Sequence, residues 1–158
     1  FSKGENAMNL LWIGVLAVTA GLVNENQPPM NRCPDSGKPV HVHIHGIRNA
    51  QGTVKAVLYG PDPKDFLVKG KKTDKEREPA REGTMTLCVA APGPGHYAVV
   101  IYHDENNNRK FDRNWIGLPT EGFGVSNDPS LFLAAPDFEE SKFEVRENIT
   151  HISIEMKY

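Results

Sequence analysis

The segment from Asp104 to Asp112, Asp-Glu-Asn-Asn-Asn-Arg-Lys-Phe-Asp, puts oxygen-bearing side chains at alternate positions of one short stretch. Counted from Asp104, the side chains of Asp104, Asn106, Asn108 and Asp112 stand at positions 1, 3, 5 and 9, and the carbonyl of Lys110 falls at position 7. A hard cation such as Ca²⁺ takes about six to eight oxygens, and a tightly turned loop aims alternate groups at one centre. Glu121, further along the chain, can fold back to complete such a shell. Arg109 holds the place where a Ca²⁺ loop has Gly for its sharp turn, and Trp115 holds the place of the bidentate Glu. With few carboxylates and that turn strained, the expected binding is weak, ~10⁻⁴–10⁻³ M. The competing reading is a plain turn, because Asn and Asp bond their own backbone and tolerate the left-handed region.

A second constellation is His41, His43 and His45, which share one face of an alternating run. Residues two apart on a strand lie about 6–7 Å from each other. Such a row can hold Zn²⁺ if a neighbouring strand supplies another ligand, and His151 and His96 are the candidates. Three polar residues on the solvent face of a strand need no metal, so Zn²⁺ is not expected. For covalent chemistry, Ser126 and Ser130 lack a nucleophile elbow. His103 and Asp104 are adjacent, and adjacent side chains on a strand point to opposite faces. A non-enzymatic domain is therefore the expectation. The alternative is a metal-dependent hydrolase using His103, Asp104 and Glu121. The aromatics Trp115, Phe123, Phe132 and Phe138 are expected to cover an open end of the fold rather than stack on a ligand.

These residues need a frame, and the apolar pattern supplies one. Val40, Val42 and Ile44 alternate with the histidines over Val40–Ile47, the period of a half-buried strand. Asn49 to Gly52 makes a turn, and Thr53–Tyr59 reads as the returning strand with Val54, Ala56 and Leu58 inward. A hydrophilic excursion from Lys64 to Gly83 follows, its mixed charges reading as a solvated loop. Thr84–Ala91 alternates again, His96–His103 is apolar on both faces, and Lys142–Val145 and Ile149–Met156 close the chain. Short strands separated by turn residues imply an all-β, antiparallel, immunoglobulin-like sandwich over residues 40–158.

Ahead of it, Leu10 to Val23 is uncharged and shorter than the ~20 residues of a membrane span. With Lys3 before it and Val18-Thr19-Ala20 near its end, residues 1–23 are expected to be an export signal. Residues 24–39 form a polar lead-in carrying Cys33. Cys33 and Cys88 are the two cysteines, an even count that in an exported chain suggests one disulfide. The expected location is periplasmic or secreted, with no membrane span remaining after cleavage. Lys plus Arg number 18 against 20 for Asp plus Glu, and that balance argues against a nucleic-acid partner.

The stretch His103-Asp-Glu-Asn-Asn-Asn108, Asp112, Gly117-Leu-Pro-Thr-Glu-Gly-Phe-Gly124 and Ser126-Asn127 resembles an uncharacterised bacterial family, domain of unknown function 2141. Gly46–Tyr59, Phe66–Lys71 and Gly95–Val99 are similar to the same family. Arg109 stands where the family carries Gly. The resemblance implies an exported β-sandwich of prealbumin-like shape and brings no activity with it. The resulting expectation is an exported domain whose Asp/Asn loop orders a segment that binds an envelope protein, a peptide or a glycan. A third possibility is a carrier of a small apolar ligand between the sheets.

Overall fold

The computed structural model describes residues 33–130 and 135–158. The expected export signal and Phe132 lie outside the described residues. Among the described residues, eight strands, a 3-10 turn at Pro63–Asp65 and one short α-helix occur, the strands and α-helix in the order β1 (Lys38–Ile47), β2 (Thr53–Tyr59), β3 (Asp74–Pro79), β4 (Gly83–Ala91), β5 (Gly95–Asp104), β6 (Gly122–Val125), α1 (Phe138–Ser141), β7 (Phe143–Val145) and β8 (Thr150–Glu155). They make an all-β sandwich. One sheet has the order β4-β1-β8, the other β3-β2-β5-β6, and β7 pairs with β5 beside it.

The alternating residues form the core as their period requires. Val40, Val42 and Ile44 from β1 and Leu87 and Val89 from β4 are fully buried against Val54, Ala56 and Leu58 from β2 and Val99 and Ile101 from β5. Each such Val, Leu or Ile side chain contributes about 1.5–3 kcal/mol of transfer free energy. β5 is buried on both faces, because a second apolar cluster of Val57, Tyr59, Val100 and Val125 lies on the far side of its sheet.

Three expectations are corrected. First, β2 is not the return arm of a β1 hairpin: β1 pairs with β4 and β8, β2 with β3 and β5. Both strands carry a strong apolar face, and placing them in opposite sheets buries each face against the other. The change of sheet follows a break in β1 register between Ile44 and Ile47, where Gly46 takes φ 73°. Second, β8 runs parallel to β1, the exception among otherwise antiparallel pairs. The chain leaves β7 in one sheet and enters the other within a few residues, arriving beside β1 in the same direction. Third, the hydrophilic excursion is not all loop. Its Asp74-Lys-Glu-Arg-Glu-Pro79 is β3, an edge strand. Charge and proline on an edge keep it from pairing with other chains, and they also remove the apolar alternation that would reveal it.

The turn between β1 and β2 is pinned to the end of β5. Gly52 has φ 68°, and a Cβ there would fall 1.9 Å from the carbonyl oxygen of Asp104. No other residue fits, and the contact fixes where the Asp/Asn loop begins.

Cys33 and Cys88 form a disulfide with Cα atoms 5.0 Å apart, tying the segment before β1 to β4. Among the described residues no helix is long and apolar enough to cross a membrane. The disulfide is compatible with an exported protein.

Candidate functional site

The long connection from β5 to β6 starts at a buried carboxylate. Asp104 is 2% exposed. Its Oδ1 accepts from the backbone N–H of Asn108 at 3.1 Å, and its Oδ2 from that of Arg109 at 2.9 Å. Arg77 Nη1, reaching across from β3, donates to the same Oδ2 at 2.9 Å. Asn106 Oδ1 accepts from Asn108 N, and Asn108 Oδ1 from Lys110 N, each asparagine closing a turn on its own chain. The Nδ2 groups of Asn106 and Asn108 both donate to Asp112 Oδ2 at 2.7 Å. Arg109 sits in the left-handed region with φ 63°, as expected for a residue in a glycine place.

Glu121 does fold back. It is 4% exposed, and its two carboxylate oxygens accept from the backbone N–H groups of Glu105 at 3.2 Å and Asp112 at 3.1 Å. One side chain thus clamps both ends of the loop. The structure brings Asp104, Asn106, Asn108, Lys110, Asp112 and Glu121 to one loop, and the hydrogen bonds made there by their side-chain oxygens come from N–H donors. Among the described residues, the three-residue group of His, Cys, Asp or Glu ligand atoms within 4.8 Å of one another is Cys33, His41 and Cys88, whose sulfurs are bonded together.

Beyond Asp112 the chain makes a small hairpin. Arg113 bridges to Pro119, and Asn114 N donates to Leu118 O at 2.8 Å. Asn114 Oδ1 accepts from Ile116 N at 3.1 Å and Leu118 N at 2.9 Å, holding the tip from inside. Arg113 Nη1 adds a bond to Gly117 O at 3.0 Å. The tip presents Trp115 at 95% exposure, with Ile116 at 57% and Leu118 at 56%. Trp115 therefore does not cover an open end of the sandwich. The short hairpin spends its polar groups on itself and leaves its apolar side chains no surface to fold onto. Phe123 and Phe138 behave as packing groups. Phe138 is buried, and half-buried Phe123 meets Phe111 with ring centroids 5.7 Å apart. Phe111 also packs on Tyr102 at 5.1 Å, rooting the hairpin to the outer face of β5.

The bacterial family described as an uncharacterized protein conserved in bacteria (DUF2141) matches residues 42–153, from within β1 to within β8. The chain belongs to that family. No curated protein and no solved structure matches it. In this DUF2141 domain the His103–Asn127 motif region therefore has a place in the fold: it is the end of β5, the clamped loop, the exposed hairpin and β6.

His103 itself is fully buried. Its Nε2 lies 2.7 Å from the carbonyl oxygen of Gln51, and its Nδ1 2.6 Å from the Tyr158 hydroxyl. Both ring nitrogens are engaged, and its neighbour Asp104 makes its bonds elsewhere. Ser126 is likewise structural: its Oγ accepts from Val99 N at 2.9 Å and donates to Ser141 O, stapling α1 to β5.

The histidines of β1 do not converge with one another. His41 Nε2 contacts Cys33 Sγ, His43 Nδ1 contacts Thr86 Oγ1, and His45 Nε2 contacts Ser153 Oγ. His151 of β8 comes in instead, with its Nδ1 3.0 Å from His43 Nε2 and its ring stacked on that of His43. Burial first, then the charges of His151 and a neighbouring β1 histidine, push His41 and His43 below the ordinary histidine value. His96 lies apart on β5, opposite Glu144 of β7.

Two positioning residues escape a reading by motif. Arg77 lies in a charged run with nothing local to single it out, and its role depends on the β2–β3 register. Tyr158 is sequence-remote from His103, and only the fold joins them. The helix α1 did carry a signal: Asp137 caps it, accepting from Glu140 N at 2.8 Å.

Proposed function

We propose that the domain is a non-enzymatic, periplasmic or secreted binding module that docks a polypeptide partner through the hairpin Arg113–Pro119. The observation that carries this reading is the exposure of Trp115, Ile116 and Leu118 together on a tip whose backbone is already fixed. Exposed contiguous apolar side chains on an ordered element are costly in water and mark contact surfaces. Ordering the loop beforehand lowers the entropic cost of binding. Aliphatic neighbours on both sides of the tryptophan favour an apolar protein groove over a sugar ring, which would want hydrogen-bonding groups beside the aromatic face. What supports a non-enzymatic reading is the enclosure of His103 and the engagement of Asp104 and Glu121 by N–H groups, which leaves that trio no shared point for a substrate.

The test is a photo-crosslinking amino acid at Trp115 in the native bacterium, with Leu67 on a separate loop as control. A discrete adduct from position 115, absent at position 67 and lost with Ile116→Ser, is the expected result. Labelling that is equal at both positions would defeat the reading.

A second reading keeps weak Ca²⁺ binding on the same loop. It rests on the winding of the chain around Asp104, with Arg109 in the left-handed conformation that a Ca²⁺ loop demands at that place. An ion there has to displace Arg77 from Asp104 and turn both asparagine amides. A saturable, Ca²⁺-selective rise in melting temperature, with Mg²⁺ inert, supports it; a flat response to millimolar Ca²⁺ removes it.

A further inference from the structure

The outer face of the β3-β2-β5 sheet holds a charged cleft beside the second apolar cluster and the root of the hairpin. An open cleft of ≈ 270 Å³ lies there, floored by Lys55, Val57, Tyr59 and Tyr102 and walled by the segments around Lys69 and Lys110. Six cations line it, Lys55, Lys69, Lys72, Arg77, Arg109 and Lys110, against the single acid Asp104. Asp104 is committed to Arg77 and to two backbone N–H groups. Among the described residues no carboxylate forms an ion pair with any of the other five.

The fold bears a cost for this arrangement. Lys55 and Arg77 are direct cross-strand partners on β2 and β3. Like charges facing each other across a ladder are destabilising. Lys55 is also partly enclosed, its ammonium 5.2 Å from the centre of the Tyr102 ring. Burial, then the charges of Arg77, Lys72 and Lys75, hold Lys55 below the ordinary lysine range, with Asp104 opposing. On the opposite wall Arg109 keeps its left-handed φ of 63°, where glycine would be unstrained. A neutral residue at 55 and a glycine at 109 would serve the fold better. Both positions instead deliver positive charge to one cleft.

We propose that this cleft binds a ligand bearing two or more clustered oxyanions, of the diphosphate or oligophosphate type. Several unpaired cations in so small a volume match a compact multivalent anion better than a single carboxylate. A guanidinium can grip phosphate oxygens in pairs while the lysines act as point charges. Burial pushes the Tyr102 phenol up to about 12, so it stays a neutral donor. Phe111 and Tyr102, in ring contact, offer an apolar wall to whatever carries the phosphates. The proposal does not rest on the Trp115 hairpin.

The probe is inorganic pyrophosphate, followed by titration calorimetry on the full chain, with sulfate at matched ionic strength as control. One-to-one saturable binding is expected, stronger than for sulfate. Lys55→Gln and Arg109→Gly should each weaken it about tenfold or more, the size of one lost charge-assisted hydrogen bond. Neither variant should lower the melting temperature of the free protein, and Lys55→Gln should raise it by roughly 2–4 °C. A purely structural role for either side chain predicts the reverse. Vesicles of phosphatidylcholine doped with phosphatidic acid separate the sources. Sedimentation with them that both variants lose, in place of pyrophosphate binding, assigns the phosphate to a lipid headgroup. Absence of binding to both probes, binding equal to sulfate, or binding unchanged in both variants overturns the proposal.

Discussion

Arg77 Nη1 lies 2.9 Å from Asp104 Oδ2, so an ion pair joins the charged edge strand β3 to the last residue of β5, where the long connection departs. The Asp104 side chain is 3% exposed and that of Arg77 31%. Removing one member of a buried pair typically costs about 3–5 kcal/mol, because the other charge is stranded. Here Arg77 keeps access to water and can be resolvated. Asp104→Ala is therefore expected to cost about 3 kcal/mol, at the low end of that range. It should also expose the amide of Arg109, which loses its acceptor, and loosen that of Asn108, which keeps only Asn106 Oδ1. Urea denaturation measures the first, hydrogen exchange the second. Unchanged exchange at those two amides would show that Asp104 does not hold the loop.

Glu121 makes a sharper demand on the same loop. Its carboxylate accepts from Glu105 N and Asp112 N, closing the loop where it begins and ends. Glu121→Ala leaves two N–H groups without that acceptor, a loss of about 1–3 kcal/mol if they stay enclosed. The loop is expected to open rather than bear that cost, while the sheets stay folded. Trypsin then has Arg109, Lys110 and Arg113 within reach. Cleavage after these residues should accelerate strongly in Glu121→Ala, with little change in far-ultraviolet circular dichroism. Equal nicking rates in variant and wild type would contradict the clamp.

The sandwich was legible wherever burial is one-sided, because Val40, Val42 and Ile44 or Val54, Ala56 and Leu58 show their period directly. Pairing was not legible: the spacing of β1 and β2 looks like a hairpin, and only the competition between two equally apolar faces sends them to opposite sheets. β3 and β6 escaped for different reasons, the first carrying charge instead of an apolar face and the second, Gly-Phe-Gly-Val, being too short to establish a period. At the site, the turn-forming asparagines and the return of Glu121 onto the loop were legible, while Asp104 is bonded by backbone N–H groups and Arg77 rather than by the spaced side chains. Arg77 was not, since its partner is set by strand register. Trp115 is the instructive error. An aromatic residue in a loop is usually cover for something, and whether Asn114 spends the hairpin's polar groups internally is a matter of geometry.

The disulfide between Cys33 and Cys88 closes a loop of 55 residues. Chain-entropy arithmetic gives about 4 kcal/mol for a loop of that length. Reduction frees the segment before β1 from β4, whose Cys88 lies opposite His41 in the ladder. A fall in melting temperature of roughly 8–16 °C is expected on reduction, if the entropic value is realised in full. Cys33→Ser/Cys88→Ser should reproduce it without reductant. A fall confined to the reduced wild type, absent from the double variant, would mean that the reductant and not the bond is responsible.

The histidine cluster gives the domain a direction of pH dependence. His41 and His151 are cross-strand partners on β1 and β8, and His43 contacts His151 diagonally at 3.0 Å. Burial, reinforced by the charges of the neighbouring imidazoles, sets His41 and His43 below the usual value in the folded domain. In the unfolded chain each takes its proton near about 6.5. Above that pH both states are neutral at these positions, and the cluster contributes nothing to the slope. As pH falls through it, the unfolded chain binds protons that the folded domain does not, so stability declines until the lower folded values are passed. The melting temperature should therefore drop on acidification from about pH 7.5 to about 5.5. His41→Gln/His43→Gln should flatten that drop by removing the two displaced groups. A double variant whose melting profile parallels the wild type across this window would place the pH dependence elsewhere in the molecule.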